Sequence, residues 1–166
     1  MNLSTRTPPV RPIRGRLQGS ERRFAIVVSR FNALITDRLL AGARACLLQH
    51  GVREDAIDVV SVPGAWELPI AAQAATRRGY AAIIALGCVI RGETPHFEYV
   101  AGAAAHGLER VSLEAGLPVA FGLLTTENSQ QALARAGGQD GNKGWDAALA
   151  ALEMADLLDG WPNEGS

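Results

Sequence analysis

Lysine is almost missing from this chain. Of its 16 basic side chains, fifteen are arginines and one is a lysine, Lys143. A GC-rich genome produces such a ratio, but it also sets a limit: chemistry that needs a lysine side-chain amine has one candidate. Cysteine is scarce too. Cys46 and Cys88 both sit in apolar runs, which excludes a disulfide framework and any CxxC metal or redox site. The three histidines (His50, His96, His106) show no HExxH or other zinc spacing, so no metal site is expected. No apolar run approaches the roughly 20 residues that span a bilayer, and the opening MNLSTRTPPVRPIRGRL has no apolar signal core. A soluble protein of the reducing cytoplasm is the expectation. There is also no GxGxxG or Walker glycine loop.

What is present suits one domain. The chain has 166 residues, 48% hydrophobic and 20% charged, with a net charge of -1, enough to bury a core without staples. The charge is uneven. Residues 1–23 carry six arginines against Glu21, giving +5, so the remainder carries -6. An acidic body argues against duplex nucleic acid as a partner. Pro8, Pro9 and Pro12 would break the amphipathic helix of a transit peptide. The expected organisation is a flexible or extended basic arm (1–13), a single domain (14–160) and a short tail (161–166).

From Arg23 onward, short apolar runs alternate with helical periods. The runs are FAIVVS (24–29), IDVVSV (57–62), YAAIIALGCVI (80–90) and PVAFGLLT (118–125). Each is nearly continuous in apolar residues, the pattern of strands covered on both faces. The first helix aligns Leu39, Ala43, Cys46 and Leu47 and ends at Gly51; the second is expected over 66–78, with Pro69 in its first turn. The third, 97–115, aligns Phe97, Val100, Ala101, Ala104, Leu108 and Val111. A short fourth follows Asn128 as its cap, with Gln131 three residues on, and the last spans 145–159 with Leu149, Leu152 and Ala155 inward. Four βα units in series predict a parallel sheet with right-handed crossovers, a three-layer αβα sandwich of flavodoxin-like kind. Ligands of such folds bind at the carboxyl ends of the strands.

The four strand exits therefore carry the candidate chemistry. At the first, Phe31 and Asn32 follow the strand; the ring either folds back over the sheet edge or stacks on a planar ligand. At the second, PGAWELP (63–69), Gly64 allows close backbone approach and Glu67 falls in a first helical turn. Glu67 is either a capping group or an acceptor for ligand hydroxyls. The third, GCVIRGETPHF (87–97), sets Arg91-Gly92-Glu93-Thr94 before a helix with Pro95 expected at its first position. Free N–H groups, a hydroxyl and a helix dipole make an anion site there. His96 follows at once, an imidazole placed to move protons beside that pocket. The fourth, after Phe121, bears Arg135 and Lys143 on a glycine-rich connection, suited to phosphate or to a neighbouring subunit. The inventory describes proton transfer on a phosphorylated small molecule.

These residues closely resemble one family. RFN (30–32), PGAWELP (63–69), GCVIRGETPHFEYV (87–100), PVAFGLLTTEN (118–128), QALARAG (131–137) and GNKG (141–144) are similar, in order and spacing, to 6,7-dimethyl-8-ribityllumazine synthases. The similarity runs from about Arg14 to Asp159. It implies the penultimate step of riboflavin biosynthesis: 5-amino-6-(D-ribitylamino)uracil condenses with 3,4-dihydroxy-2-butanone 4-phosphate, with loss of phosphate and water and no metal or organic cofactor. By resemblance, Phe31 stacks on the pyrimidine, Ala65, Trp66 and Glu67 surround the ribityl chain, and Cys88, Val89 and Ile90 present backbone groups to the pyrimidine edge. Glu93 and Thr94 hold the phosphate, and His96 carries the proton. Phe121, Arg135 and Lys143 come from an adjacent subunit, with Arg135 on the phosphate. The resemblance further implies homo-oligomers: pentamers, in some members twelve of them in a 60-subunit shell, with riboflavin synthase as a candidate partner and an N-terminal arm that adds a strand to a neighbour's sheet. The compact GGQDGNKG connection is like that of shell-forming members. Two rivals remain at this point, an archaeal-type riboflavin synthase and a non-catalytic flavin-binding or scaffolding homologue. The intact GETPH segment with Arg135 argues against the first, and Glu67, His96 and Arg135 together against the second.

Overall fold

In the computed structural model, which describes residues 10–162, the two most apolar runs form the centre of the sheet. Strand β1 (Phe24–Ser29) is buried along its whole length, and β3 (Ala82–Ile90) is buried until its last two residues. Between and beyond them lie α1 (Ala33–Gln49), β2 (Ile57–Val62), α2 (Leu68–Ala75), α3 (His96–Ala115) and β4 (Val119–Thr126). Then come α4 (Ser129–Ala134), the short strands β5 (Ala136–Gly138) and β6 (Gly141–Asn142), and α5 (Lys143–Asp159). The main sheet is parallel in the order β2-β1-β3-β4. This is the three-layer α/β sandwich the sequence pattern predicts.

Alternation along β1 feeds two cores. Phe24, Ile26 and Val28 face α1 and α5, packing with Leu39, Cys46, Leu47 and Leu152. Ala25 and Val27 face α2 and α3, packing with Leu68, Ala104 and Leu108. Each fully buried Phe, Ile or Leu contributes about 1.5–3 kcal/mol. The stripe expected on α1 is fully inward, that of α3 is buried only at Ala104, Leu108 and Val111, and that of α5 at Leu152 and Ala155. Gly51 follows α1 at φ 87°, a left-handed turn that glycine takes without strain.

Several boundaries differ from the sequence reading. The second helix does not span 66–78: a 3-10 turn (Ala65–Glu67) leads into α2, which ends at Ala75. A turn through Gly79, at φ 75°, then swings the chain into β3, which begins at Ala82 rather than Tyr80. Pro95 caps α3 and His96 is its first residue, between the start at Pro95 and the 97–115 span that the sequence suggests. The glycine-rich connection holds the antiparallel β5–β6 ribbon, which periodicity over so few residues cannot signal. Strand β2 is not covered on both faces. It is the sheet edge, and Val59, Val60 and Ser61 are exposed.

The basic segment is also less free than its charge suggests. Residues 1–9 and 163–166 lie outside the described residues, and with them most of the expected arm and tail. Arg14, Arg16 and Arg22 are docked on α5, pairing with Glu153, Asp156 and Asp159. Asp156 is buried and accepts the Arg16 backbone N–H at 2.7 Å. Among the described residues, no helix is long and apolar enough to cross a membrane, and both cysteines are free and buried.

Candidate active site

A notch opens where β3 outruns its neighbour. β3 pairs with β1 only as far as Leu86, but with β4 as far as Ile90. In a parallel strand, the backbone groups of successive residues point to opposite neighbours. The Arg91 N–H donates to Thr126 on the β4 side at 2.8 Å, so Cys88 and Ile90 face the notch. Asn32 claims one of those groups: its Nδ2 donates to the Cys88 carbonyl at 2.9 Å. Asn32 stands at φ 62°, a left-handed conformation that asparagine tolerates better than most residues. The backbone of Ile90 is left facing the open side.

Around this notch lies a cleft of about 610 Å³. Phe31 forms one wall and is 69% exposed, so its ring does not fold back into the core. Ala65 and Trp66 come from the turn after β2, Cys88, Val89 and Ile90 from β3, and Thr94 and His96 from the entry to α3. Burial pushes the Cys88 thiol up to about 11, so it stays protonated and is no nucleophile at neutral pH. Among the described residues, no three His, Cys, Asp or Glu side chains gather as a metal-ligand set.

The loop between β3 and α3 is held at its root. The Arg91 guanidinium bonds Glu98 at 3.2 Å and Glu127 at 2.9 Å, and lies 4.5 Å over the Phe97 ring. Beyond this anchor, Gly92, Glu93, Thr94 and Pro95 are exposed. Among the described residues, the amides of Gly92, Glu93, Thr94 and His96 donate to no backbone carbonyl. Uncommitted N–H groups, the Thr94 hydroxyl and the positive end of a 20-residue helix together suit a bound anion.

The 6,7-dimethyl-8-ribityllumazine synthase family model matches residues 21–159. The synthase of that name from Xanthomonas euvesicatoria pv. vesicatoria (strain 85-10) is 56% identical over 146 residues, covering 87% of this chain and 95% of the relative. The Xanthomonas axonopodis pv. citri (strain 306) enzyme gives the same figures, and that of Xanthomonas oryzae pv. oryzae (strain PXO99A) is 55% identical over the same span. The chain belongs to the 6,7-dimethyl-8-ribityllumazine synthase family. Membership makes it an enzyme, a transferase of riboflavin biosynthesis.

Of the residues that the lumazine synthase motifs single out, eight meet in the cleft of one chain: Phe31, Ala65, Trp66, Cys88, Val89, Ile90, Thr94 and His96. Glu93 sits on the loop beside them, with its side chain outside the lining. Glu67 turns back, and its Oε2 accepts the Gly64 N–H at 2.9 Å. That is the capping arrangement, and Glu67 borders the adjoining groove between α2 and α3 instead. Phe121 lies on β4 at the other edge of the sheet and is 52% exposed. Arg135 bonds the Gln131 carbonyl at 3.0 Å and lies 3.5 Å from Asp140, while Lys143 pairs with Asp146 at 3.2 Å. None of these three lines the cleft of its own chain.

The cleft and its supports also include residues that sequence reasoning did not pick. Phe97 and Val100 read as core stripe of α3, but they close the cleft wall, together with Gly92 and the exposed Tyr99. Asn32 carried a signal in its place just past a strand. Arg91 carried one only in part, because its carboxylate partners Glu98 and Glu127 lie on two different elements.

Proposed function

We propose that the cleft condenses 5-amino-6-(D-ribitylamino)uracil with 3,4-dihydroxy-2-butanone 4-phosphate to 6,7-dimethyl-8-ribityllumazine. Phe31 stacks on the pyrimidine, and the free Ile90 backbone together with Cys88 and Val89 meets its polar edge. Ala65 and Trp66 line the ribityl chain, whose hydroxyls reach the Glu67 oxygen not used in capping. The loop amides at Glu93 and Thr94, with the Thr94 hydroxyl, hold the phosphate. The pyrimidine's own amine attacks the ketone and water leaves as the imine forms. His96 moves the proton that allows the carbon–oxygen bond to phosphate to break. Ring closure through the ribitylamino nitrogen expels the second water. The enzyme supplies orientation and a proton path, and demands no lysine nucleophile.

Phe121, Arg135 and Lys143 complete the cleft of a second copy, with Arg135 on the phosphate, so the working unit is a homo-oligomer. A pentamer is the unit we favour, and the compact β5–β6 connection supports assembly of pentamers into a shell in which riboflavin synthase is a candidate partner. The open edge of β2, with Val59 and Val60 exposed, would take the N-terminal arm of a neighbour as an added strand. Two buried free thiols suit a cytoplasmic home.

The observation that carries this reading is one cleft combining an exposed aromatic wall, an unpaired β3 backbone, an amide-rich helix entry and His96. The test mixes purified protein with both substrates and follows lumazine absorbance and phosphate release. Product formation well above the protein-free rate is expected. A rate equal to that uncatalysed background would overturn the reading in favour of a non-catalytic binding or scaffolding homologue.

A further inference from the structure

We infer that Asn142 is a positioning residue that locks the β5–β6 ribbon onto α1 and so aims Arg135 at the phosphate in a neighbouring copy. The inference rests on the reading of Arg135 given above and names what fixes the backbone from which that guanidinium projects. The Asn142 Oδ1 accepts the N–H groups of Gly144 at 2.8 Å and Trp145 at 3.2 Å, closing the start of α5. Its Nδ2 donates to the Arg38 carbonyl of α1 at 3.0 Å. One carboxamide thus ties β6, α5 and α1 together. Arg135 lies directly across the ribbon: Ala136 pairs with Asn142, and the Lys143 N–H donates to the Arg135 carbonyl at 2.9 Å.

A two-stranded ribbon of three and two residues has no stability of its own. Its place is set by what ties it down. The sequence makes room for that tie at two distant glycines. Gly42 sits inside α1, where glycine weakens a helix, and a Cβ there would collide with the Asn142 carboxamide. Gly144 lets the first turn of α5 press against the Leu39 carbonyl, where a Cβ would also collide. The seat and the side chain that fills it belong together.

The experiment measures KM for each substrate and kcat for Asn142→Ala, Gly42→Ala, the double variant and Arg135→Ala, with oligomeric state and melting followed in parallel. Asn142→Ala and Gly42→Ala are each expected to raise KM for the phosphorylated substrate about tenfold, as misplacement of a binding group does. The pyrimidine KM and kcat should stay within about twofold. Because the clash needs both the carboxamide and the new Cβ, the double variant should be no worse than Asn142→Ala alone. Asn142→Asp keeps the α5 cap but loses the donor to Arg38, so it should restore melting without restoring KM. Equal rises in both KM values, or additive effects in the double variant, would overturn the inference. A raised phosphate KM in Arg135→Ala beside an unchanged one in Asn142→Ala overturns the Asn142 role alone. An unchanged KM in Arg135→Ala overturns the Arg135 reading and the inference with it.

Discussion

His96 shows how much one position can carry. It is the first residue of α3, exposed to the cleft, and adjoins a loop whose amides are free to hold an anion. A proton carrier there acts in the transition state more than in binding, so His96→Ala should lower kcat about 10–100-fold, at or below the usual range for one proton-transfer group. KM for either substrate should change little. Steady-state kinetics check this, and an unchanged kcat removes His96 from the mechanism. The place of His96 in the cleft was legible in sequence because a strand exit in a parallel sheet is where ligands bind. Asn142 was not, because its partners Arg38 and Gly42 are about a hundred residues away and only the fold brings them together. Glu67 lay between: its helical first-turn position was readable, but not which oxygen the cap would use.

At the scale of elements, the segment before β1 and the end of α5 stabilise each other through one carboxylate. The Arg16 backbone N–H, then the Arg22 and Arg16 side chains, hold the Asp156 carboxyl below its ordinary value, against the opposing effect of burial. A depressed native pKa stabilises the fold above the unfolded value of about 3.9. That stability is lost as pH falls through the lower native value. Asp156→Asn should therefore cost about 1–3 kcal/mol at pH 7 and reduce the loss of stability on acidification below about pH 4. Denaturant melts of both proteins at pH 7 and pH 3 test this, and the same acid loss in both would contradict it. The parallel sheet, the two helical layers and most element centres were legible because apolar periodicity records burial directly. The exposure of β2 was not. IDVVSV has the composition of an interior strand, yet it sits at the edge. Such composition makes sense if another chain covers it, and one chain's sequence cannot say so.

The single chain leaves much apolar surface uncovered for a globular protein. Trp66, Ile70, Tyr99, Leu113 and Phe121 are all more than half exposed, a concentration that marks contact between copies. Ile70 stands on α2 beside the groove between α2 and α3, away from the cleft lining. Ile70→Glu should leave the fold intact by circular dichroism, while light scattering finds small species in place of the parent assembly. Activity should fall towards background if, as proposed, a second copy supplies Phe121, Arg135 and Lys143. An Ile70→Glu monomer with full activity would show that one chain holds the whole site.

The position of Lys143 gives this enzyme a chemical handle. Its side chain is about half exposed, with Nζ 3.2 Å from Asp146 at the start of α5. Every other cationic side chain is an arginine, inert to the reagents that acylate amines. An amine-reactive dye thus has one side-chain target per chain besides the amino terminus. In dissociated chains that target is open, and on the proposal that Lys143 reaches the cleft of a second copy it is shielded on assembly. The fraction of Lys143 labelled then counts closed contacts between copies, a stoichiometric readout of assembly that needs no engineered tag.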